Sequence, residues 1–309
     1  MSQDKYIHAG KIYDSSSGKY HLNKTIIISG NIISSIEDGF IEPKNEKILI
    51  YDLKSKVILP GLIDFHVHME SESGGKDRYI NRFQENKADV AFKSTLVAKK
   101  TLLAGFTTVR DVGGSGVNIS LRNAINNGVV IGPRIFTSGK TIATTGGHGD
   151  PTNGYKEGLI DDPGPKDGVV NSISDARKAV RYRYKNGADL IKITATGGVM
   201  SMAKNGQNPQ FTEEVINAVV STAKDYGMHV AAHAHGDEGM YRAVKSGVKT
   251  IEHGSIMKER TMKLMREKNA YLVPTISAGE HVAKMAKIPG YYPDIIIPKA
   301  IEVGVQNKA

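Results

Sequence analysis

The sequence predicts an α/β fold built on parallel strands, and three features of its pattern predict it. Short apolar runs recur along the chain from residue 57 onwards. Stretches with the periodicity of amphipathic helices lie between these runs, an alternation that favours strands buried on both faces. No Gly-rich GxGxxG turn follows the first run, which disfavours an open doubly wound sheet. We therefore predict a (β/α)8-type barrel and keep the open sheet as the structural alternative.

The N-terminal region differs from the rest because it contains short β elements and no long helical pattern. Residues 24–29 form a predicted strand that ends in a turn at residues 30–31, and residues 47–53 form another. We predict a small antiparallel sheet here. Residues 1–58 would then be one domain and residues 59–309 the barrel domain.

The barrel domain contains strand-like runs with helix candidates between them. The segment 88–103 has its apolar residues on one helical face, and Thr212 is a predicted N-cap for the helix that Gly227 ends. Residues 298–309 predict a helix leading towards a strand that does not follow, so the eighth strand of a closed barrel is expected to be missing from this chain. The predicted strands are residues 57–68, 106–112, 134–138, 190–194, 229–235, 250–253 and 271–276.

Composition excludes several classes of protein. The 309 residues include no cysteine, which excludes disulfides, thiolate metal sites and a cysteine nucleophile. The net charge of +9 comes mainly from lysines scattered among acidic residues, so we expect a solvated surface and no nucleic-acid partner. No apolar run approaches the roughly 20 residues of a membrane span, and the first residues lack an apolar signal region. We expect a cytoplasmic protein without a membrane partner.

Five histidines stand at the ends of predicted strands. His66 and His68 end the first run in PGLIDFHVH, His233 and His235 end the fifth in VAAHAHG, and His253 ends the sixth in IEHGS. Residues two apart on a strand point to the same face, and strand C-termini meet at the mouth of a barrel. Convergent imidazoles suit Zn²⁺ or a similar divalent metal. The alternative is that each histidine is a hydrogen-bonded polar residue at a strand end.

Lys192 is unusual because it lies within the apolar strand 190–194. A buried ammonium group costs several kcal/mol unless it is neutralised. Reaction of the neutral amine with CO₂ would give a carbamate whose two oxygens can bridge two metals. The alternative is that Lys192 points outward and extends its amine to solvent.

Five segments together carry a resemblance to a known family. PGLIDFHVH, TTVRDVGG, DLIKITATGG, VAAHAHG and IEHGS resemble the amidohydrolase superfamily, and within it the imidazolonepropionase-related branch of prolidase-like Xaa-Pro and Xaa-Arg dipeptidases. The resemblance covers nearly the whole chain. It implies a TIM-like barrel with a small flanking β-sandwich and two divalent metal ions, expected to be Zn²⁺, at the barrel mouth. It also implies hydrolysis of an amide bond in a small dipeptide-like substrate by hydroxide that the metals generate from water.

The resemblance also assigns roles to individual residues. His66 and His68 would hold the first metal, and His233 and His253 the second. Lys192 would be the carboxylated lysine that bridges the two metals.

Three more residues receive roles outside the ligand set. His235 would lie behind the ligands or face the substrate. His148, in the TTGGHG loop, and Tyr241 would bind substrate or polarise its carbonyl, with packing on the barrel as the alternative for Tyr241.

One part of the family pattern has no match in this chain. The family has a metal-binding, proton-transferring Asp at the end of the eighth strand, so we expect the 309-residue chain to be catalytically impaired. An imidazolone or other cyclic-amide substrate, and a metal-binding fragment without activity, remain alternatives to a dipeptidase. A barrel without its eighth strand would also expose two strand edges, which predicts low solubility or association into a homo-oligomer.

Overall fold

The structure is a computed structural model that describes residues 4–70 and 77–306. The chain divides into two compact units, Met1–Leu62 and Ile63–Ala309. The prediction of an α/β fold is confirmed: the first unit is a β-sheet, and the second contains parallel strands with helices between them.

The first unit is a four-stranded sheet with the strand order β3-β2-β1-β4. Both β1–β2 and β2–β3 are antiparallel, as predicted, but β4 pairs in parallel with β1. The prediction of a purely antiparallel sheet is therefore wrong, because residues 39–48 return the chain to the other edge of β1 in the same direction as that strand. The strands are β1 (Lys5–Asp14), β2 (Lys19–Ser29), β3 (Ile32–Asp38) and β4 (Leu49–Ile58).

The second unit contains a strand for each of the seven predicted runs. The predicted run 57–68 is divided by Pro60 and Gly61, so its first two residues end β4 and the rest begins β5. The strands are β5 (Leu62–Val67), β6 (Phe106–Asp111), β7 (Arg134–Thr137), β8 (Ile191–Thr194), β9 (Val230–Gly236), β10 (Thr250–Ile256) and β11 (Tyr271–Val273).

These strands form two sheets, β5-β6-β7 and β8-β9-β10-β11. The pairs β6–β7, β8–β9, β9–β10 and β10–β11 are all parallel. Ile142, which follows β7 in the chain, pairs with β8: its amide donates to the carbonyl of Lys192 at 2.8 Å, and the amide of Thr194 donates to its carbonyl at 3.0 Å. Every residue of β8 and β9 is buried, as expected for parallel strands that are covered on both faces.

Helices follow the strands through the second unit. The predicted helix after Thr212 is confirmed, and its apolar side is buried against the strands. The predicted final helix is also present, and none of the helices in the described ranges is long and apolar enough to cross a bilayer. The helices are α1 (Asp77–Gln84), α2 (Lys87–Leu103), α3 (Val117–Asn126), α4 (Ile173–Lys185), α5 (Glu213–Asp225), α6 (Asp237–Lys245), α7 (Glu259–Glu267), α8 (Ile276–Met285) and α9 (Ile297–Gln306).

Large apolar side chains remain exposed on several elements of the second unit. On α2, Phe92, Leu96 and Leu103 are 74%, 69% and 76% exposed. On the terminal strands of the two sheets, Phe65 of β5 and Tyr271 of β11 are also more than half exposed. Within residues 4–70 and 77–306, β5 pairs only with β6 and β11 only with β10, so no eighth strand covers these edges.

Candidate active site

A cavity of about 900 Å³ opens at the C-terminal ends of the parallel strands in the second unit. Residues at or just after the ends of β5, β6, β8, β9, β10 and β11 line it. The carboxyl ends of parallel strands are where barrels and open α/β sheets place their active sites. The cavity is therefore the first candidate for a functional site.

Six imidazole rings lie next to one another in this cavity. The centroids of neighbouring rings are 4.4–5.3 Å apart. Such a cluster would be unfavourable if the rings were charged, and it is a donor set that a divalent metal can use. The residues are His66, His68, His148, His233, His235 and His253.

Strand geometry explains how four of these rings reach the cavity. His66 and His68 follow each other at a spacing of two near the end of β5, and His233 and His235 do so in β9. Side chains two apart on a strand share a face, so each pair turns towards the same cavity. This confirms the expected convergence of the two HxH pairs.

His253 reaches the cavity through a local break in β10. Its φ angle is +74°, in the left-handed region, and the pairing of β10 with β9 becomes irregular after this residue. A regular strand would point Glu252 and His253 to opposite faces. Here Glu252 contacts His66 while the ring of His253 lies 4.8 Å from the ring of His66, so both neighbours face the interior. A non-glycine residue in this region stores about 1–3 kcal/mol of strain, and such strain clusters at functional sites.

Oxygen acceptors hold one nitrogen of several rings. The Nδ1 atoms of His66, His235 and His253 lie 2.8, 2.9 and 2.7 Å from side-chain oxygens of Glu252, Ser255 and Thr275. A metal would then be bound through Nε2, the ring nitrogen on the opposite side. Hydrogen bonds of this kind fix the orientation and the tautomer of metal-binding imidazoles.

Burial keeps the imidazoles in the form that binds metals. It lowers the pKa of His235 to about 4, and it holds the pKa values of His66, His233 and His253 well below their usual range. Positive charge on neighbouring groups, Lys192 among them, lowers the last three further. Neutral imidazoles are therefore present at neutral pH, and the neutral form is the metal ligand.

One group of three histidines has the compactness of a metal site. In His233, His235 and His253, one nitrogen from each ring lies within 4.8 Å of the others. The residues therefore fit a divalent metal, because neutral nitrogen donors converge in a buried pocket. The sequence predicted that His235 lies behind the ligands or faces the substrate. In the structure the rings of His235 and His253 are 5.0 Å apart, which is close to the 4.8 Å between the rings of His66 and His253.

Lys192 lines the same cavity. Its side chain is almost fully buried and lines the pocket with the histidines, so the alternative that it extends to solvent is wrong. Burial lowers the pKa of its amine to about 8. The neutral amine, which is the form that can react with CO₂, is therefore more abundant than in an exposed lysine.

His148 and Tyr241, the two predicted substrate-contacting residues, occupy different environments. His148 stacks on His233 with a centroid distance of 4.4 Å, and its amide donates to Oε1 of Gln210 at 2.8 Å. Tyr241 lies on α6 with the guanidinium of Arg260 4.7 Å above its ring, and it does not line the cavity. The structure therefore brings His148 to the candidate site and does not bring Tyr241 there.

A buried polar network around Glu252 escaped the sequence analysis. Glu252 contacts His66, Arg110 and Thr250, and its side chain is fully buried. The sequence did contain a signal for this network: Glu252 is an acidic residue inside an apolar strand, directly before the candidate ligand His253. Asp111 accepts three hydrogen bonds in the interior, and burial raises its pKa to about 6.

Solved structures of two dipeptidases are similar to this chain. The chain is 53% identical to a Xaa-Pro dipeptidase with bound methionine in its active site, with a TM-score of 0.94 over 99% of this chain and 75% of that one. It is 32% identical to a prolidase complexed with N-methylphosphonate-L-proline, with a TM-score of 0.88 over 99% and 74% of the two chains.

A characterised enzyme and a protein family are also similar to this chain in sequence. Ochratoxinase from Aspergillus niger is 32% identical over an alignment of 291 residues, and the match covers 89% of this chain. The chain spans 59% of the length of that relative. The sequence profile of the amidohydrolase family matches residues 57–307. Because this match covers most of the chain and includes the histidines of the cavity, the chain belongs to the amidohydrolase family.

Proposed function

We propose that this chain carries the metal site of a hydrolase that cleaves the amide bond of dipeptide-like substrates of the Xaa-Pro or Xaa-Arg type. The observation that carries the proposal is the convergence of six imidazoles and a buried lysine in one cavity at the strand ends. Similarity to a Xaa-Pro dipeptidase and to a prolidase supports the choice of substrate class. Both resemble this chain over 99% of its length.

The proposed ligands fall into two groups. His66 and His68 from β5 would hold one zinc ion, and His233 and His253 would hold a second. A pair of zinc ions there would lower the pKa of water from about 15.7 towards 7 and so supply the nucleophile at neutral pH. His235 extends the second group, since its ring lies 4.7 Å from that of His233.

Lys192 would connect the two groups as a carbamate. Its neutral amine would attack CO₂ to form a C–N bond and release a proton, giving an anion with two oxygens. The buried position of Lys192 favours the reaction, because burial raises the share of neutral amine.

His148 would act on the substrate. Its ring stacks on His233 at the edge of the candidate metal site, and the fixed amide of the same residue anchors the loop to Gln210. A hydrogen bond from this ring to the scissile carbonyl would stabilise the negative charge that develops on the oxygen during attack. We leave Tyr241 out of the proposed machinery, because it does not line the cavity.

Hydrolysis of a substrate panel tests the proposal. The protein is loaded with Zn²⁺ and given Xaa-Pro dipeptides, Xaa-Arg dipeptides and cyclic amides, with product amino acids measured by mass spectrometry. We expect free amino acids to be released from dipeptides, slowly because the sequence predicts an impaired chain. A chelator should abolish the release, and His233→Ala should reduce it at least about 100-fold. His281→Ala, at an exposed position on α8, is the matched control and should leave the rate unchanged.

Three outcomes would contradict the proposal. Turnover of cyclic amides alone would replace the dipeptide assignment. Turnover that a chelator does not affect would remove the role of the metal. Zinc uptake without turnover of any dipeptide would favour an impaired metal-binding protein.

A further inference from the structure

A buried carboxylate outside the proposed ligand set lies at the centre of the polar network behind the site. Glu252 is fully buried on β10. Its Oε2 atom lies 2.8 Å from Nδ1 of His66, and its Oε1 atom accepts hydrogen bonds at 2.6 Å from both Arg110 and Thr250. Three strands therefore meet at this one side chain: β5 through His66, β6 through Arg110 and β10 through Glu252 itself.

We propose that Glu252 is a positioning residue that fixes the tautomer of His66, an inference that rests on the proposed function. A neutral imidazole carries one N–H, on Nδ1 or on Nε2. Because Oε2 of Glu252 is a hydrogen-bond acceptor, it draws the N–H to Nδ1. The lone pair is then on Nε2, which is the atom that a metal would use.

Arg110 fixes the orientation of this carboxylate. Its Nη2 atom donates to Oε1 of Glu252, its Nη1 atom donates to Thr250 at 3.1 Å, and its Nε atom donates to the carbonyl of Phe65 at 2.7 Å. The guanidinium is thus anchored at both ends and is almost fully buried. With Oε1 bound to Arg110, Oε2 is the oxygen that faces His66.

The break in β10 gives Glu252 this position. Because the φ angle of His253 is +74°, Glu252 and His253 both face the interior although they are adjacent in sequence. The pair Glu252–His253 therefore serves both proposed metal groups: Glu252 orients a ligand of the first, and His253 is a ligand of the second. Loss of an oxygen acceptor behind a metal-binding histidine typically lowers metal affinity by about 10–100-fold.

Glu252→Gln gives the sharpest test because it preserves shape and inverts one hydrogen bond. Arg110 needs an acceptor, so the single oxygen of the glutamine would face Arg110. Its amide group would then donate to Nδ1 of His66, which moves the proton of His66 to Nε2. The matched control is Glu238→Gln, an acid on α6 that pairs with Arg242 and Arg260 and does not line the cavity.

Two measurements read the result. Nitrogen-15 NMR of the metal-free protein, with His66→Gln used for assignment, identifies the protonated nitrogen of His66. Competition with a chromogenic chelator gives the affinity for Zn²⁺. We expect a proton on Nδ1 in the unsubstituted protein and on Nε2 in Glu252→Gln, and zinc binding about 10–100-fold weaker in this variant with no change in Glu238→Gln.

The outcomes separate this inference from the proposed function. A proton on Nε2 in the unsubstituted protein overturns the inference, and this reading does not depend on the folding of Glu252→Gln. Zinc affinity in Glu252→Gln within about threefold of the unsubstituted protein also overturns it, whatever the tautomer. Failure of the unsubstituted protein to bind zinc contradicts the proposed function instead.

Discussion

Gly168 closes the loop that carries His148, and its backbone conformation is one that other residues rarely adopt. Its φ angle is +107°, and a Cβ atom built there would lie 2.3 Å from the carbonyl oxygen of Thr141. The carbonyl of Gly168 accepts a hydrogen bond from the amide of Ala143 at 2.7 Å, which ties the end of the loop to its beginning. The position of His148 therefore depends on a glycine distant from it in sequence.

Substituting Gly168 should destabilise the protein at this closure. We expect Gly168→Ala to lower the free energy of unfolding by roughly 1–3 kcal/mol, because the left-handed backbone and the clash with Thr141 both oppose a methyl group. Chemical denaturation measures the change. Gly164→Ala, in the same loop with nothing within 4 Å of the new methyl group, should stay within about 0.5 kcal/mol. Equal stability of the two variants would show that the closure is not strained.

At the scale of residues, the sequence was sufficient to predict those site residues whose position follows from local geometry. The pair His66 and His68 could be predicted because a spacing of two on a strand puts both on one face. Glu252 could not, because its partner His66 is 186 positions away in the sequence, and only the assembled strands bring the two together. The left-handed φ of His253 was equally unpredictable, since only a few per cent of non-glycine residues adopt that conformation, even though histidine is enriched among them.

At the scale of elements, α2 is the clearest departure from expectation. The helix forms as predicted, but of its apolar residues only Ala98 is buried, whereas Phe92 and Leu96 lie in the open. Helical periodicity predicts which residues share a face and not whether another element covers that face. The same limit applies to Phe65 at the edge strand β5.

The exposed face of α2 predicts self-association. We expect the 309-residue chain to form oligomers or aggregates at micromolar concentration, and Phe92→Lys/Leu96→Lys to shift it towards the monomer. Size-exclusion chromatography with light scattering measures the mass. The unfolding free energy of the double variant should change by less than about 1 kcal/mol, because exposed side chains make few contacts. A monodisperse monomer of the unsubstituted chain would contradict this prediction.

Elements whose apolar residues pack into the core were predicted best. The helix α5 begins after Thr212, and the strand β8 lies within the predicted apolar run 190–194. In both elements the apolar residues of the sequence pattern are the ones that the structure buries. The first sheet was predicted less well. Its strand β4 is parallel to β1, and no local signal in the sequence determines the direction in which a strand joins a sheet edge.

At the scale of the whole molecule, the candidate site is made by strands distant in sequence that end at one cavity. Rings from β5, β9 and β10, and from the loop that carries His148, stand within 4.4–5.3 Å of their neighbours. Burial lowers the pKa of the candidate ligands His66, His233 and His253 among others, so the fold itself produces neutral donors. The central claim is that these nitrogens bind divalent metal together.

X-ray absorption at the zinc K-edge tests this claim most directly. The zinc-loaded protein is compared with His253→Ala and with His281→Ala, the exposed control. We predict a first shell containing nitrogen at about 2.0–2.1 Å with scattering from imidazole rings, reduced in His253→Ala and unchanged in His281→Ala. A first shell of oxygen alone, or imidazole scattering of the same strength in His253→Ala, would contradict the account.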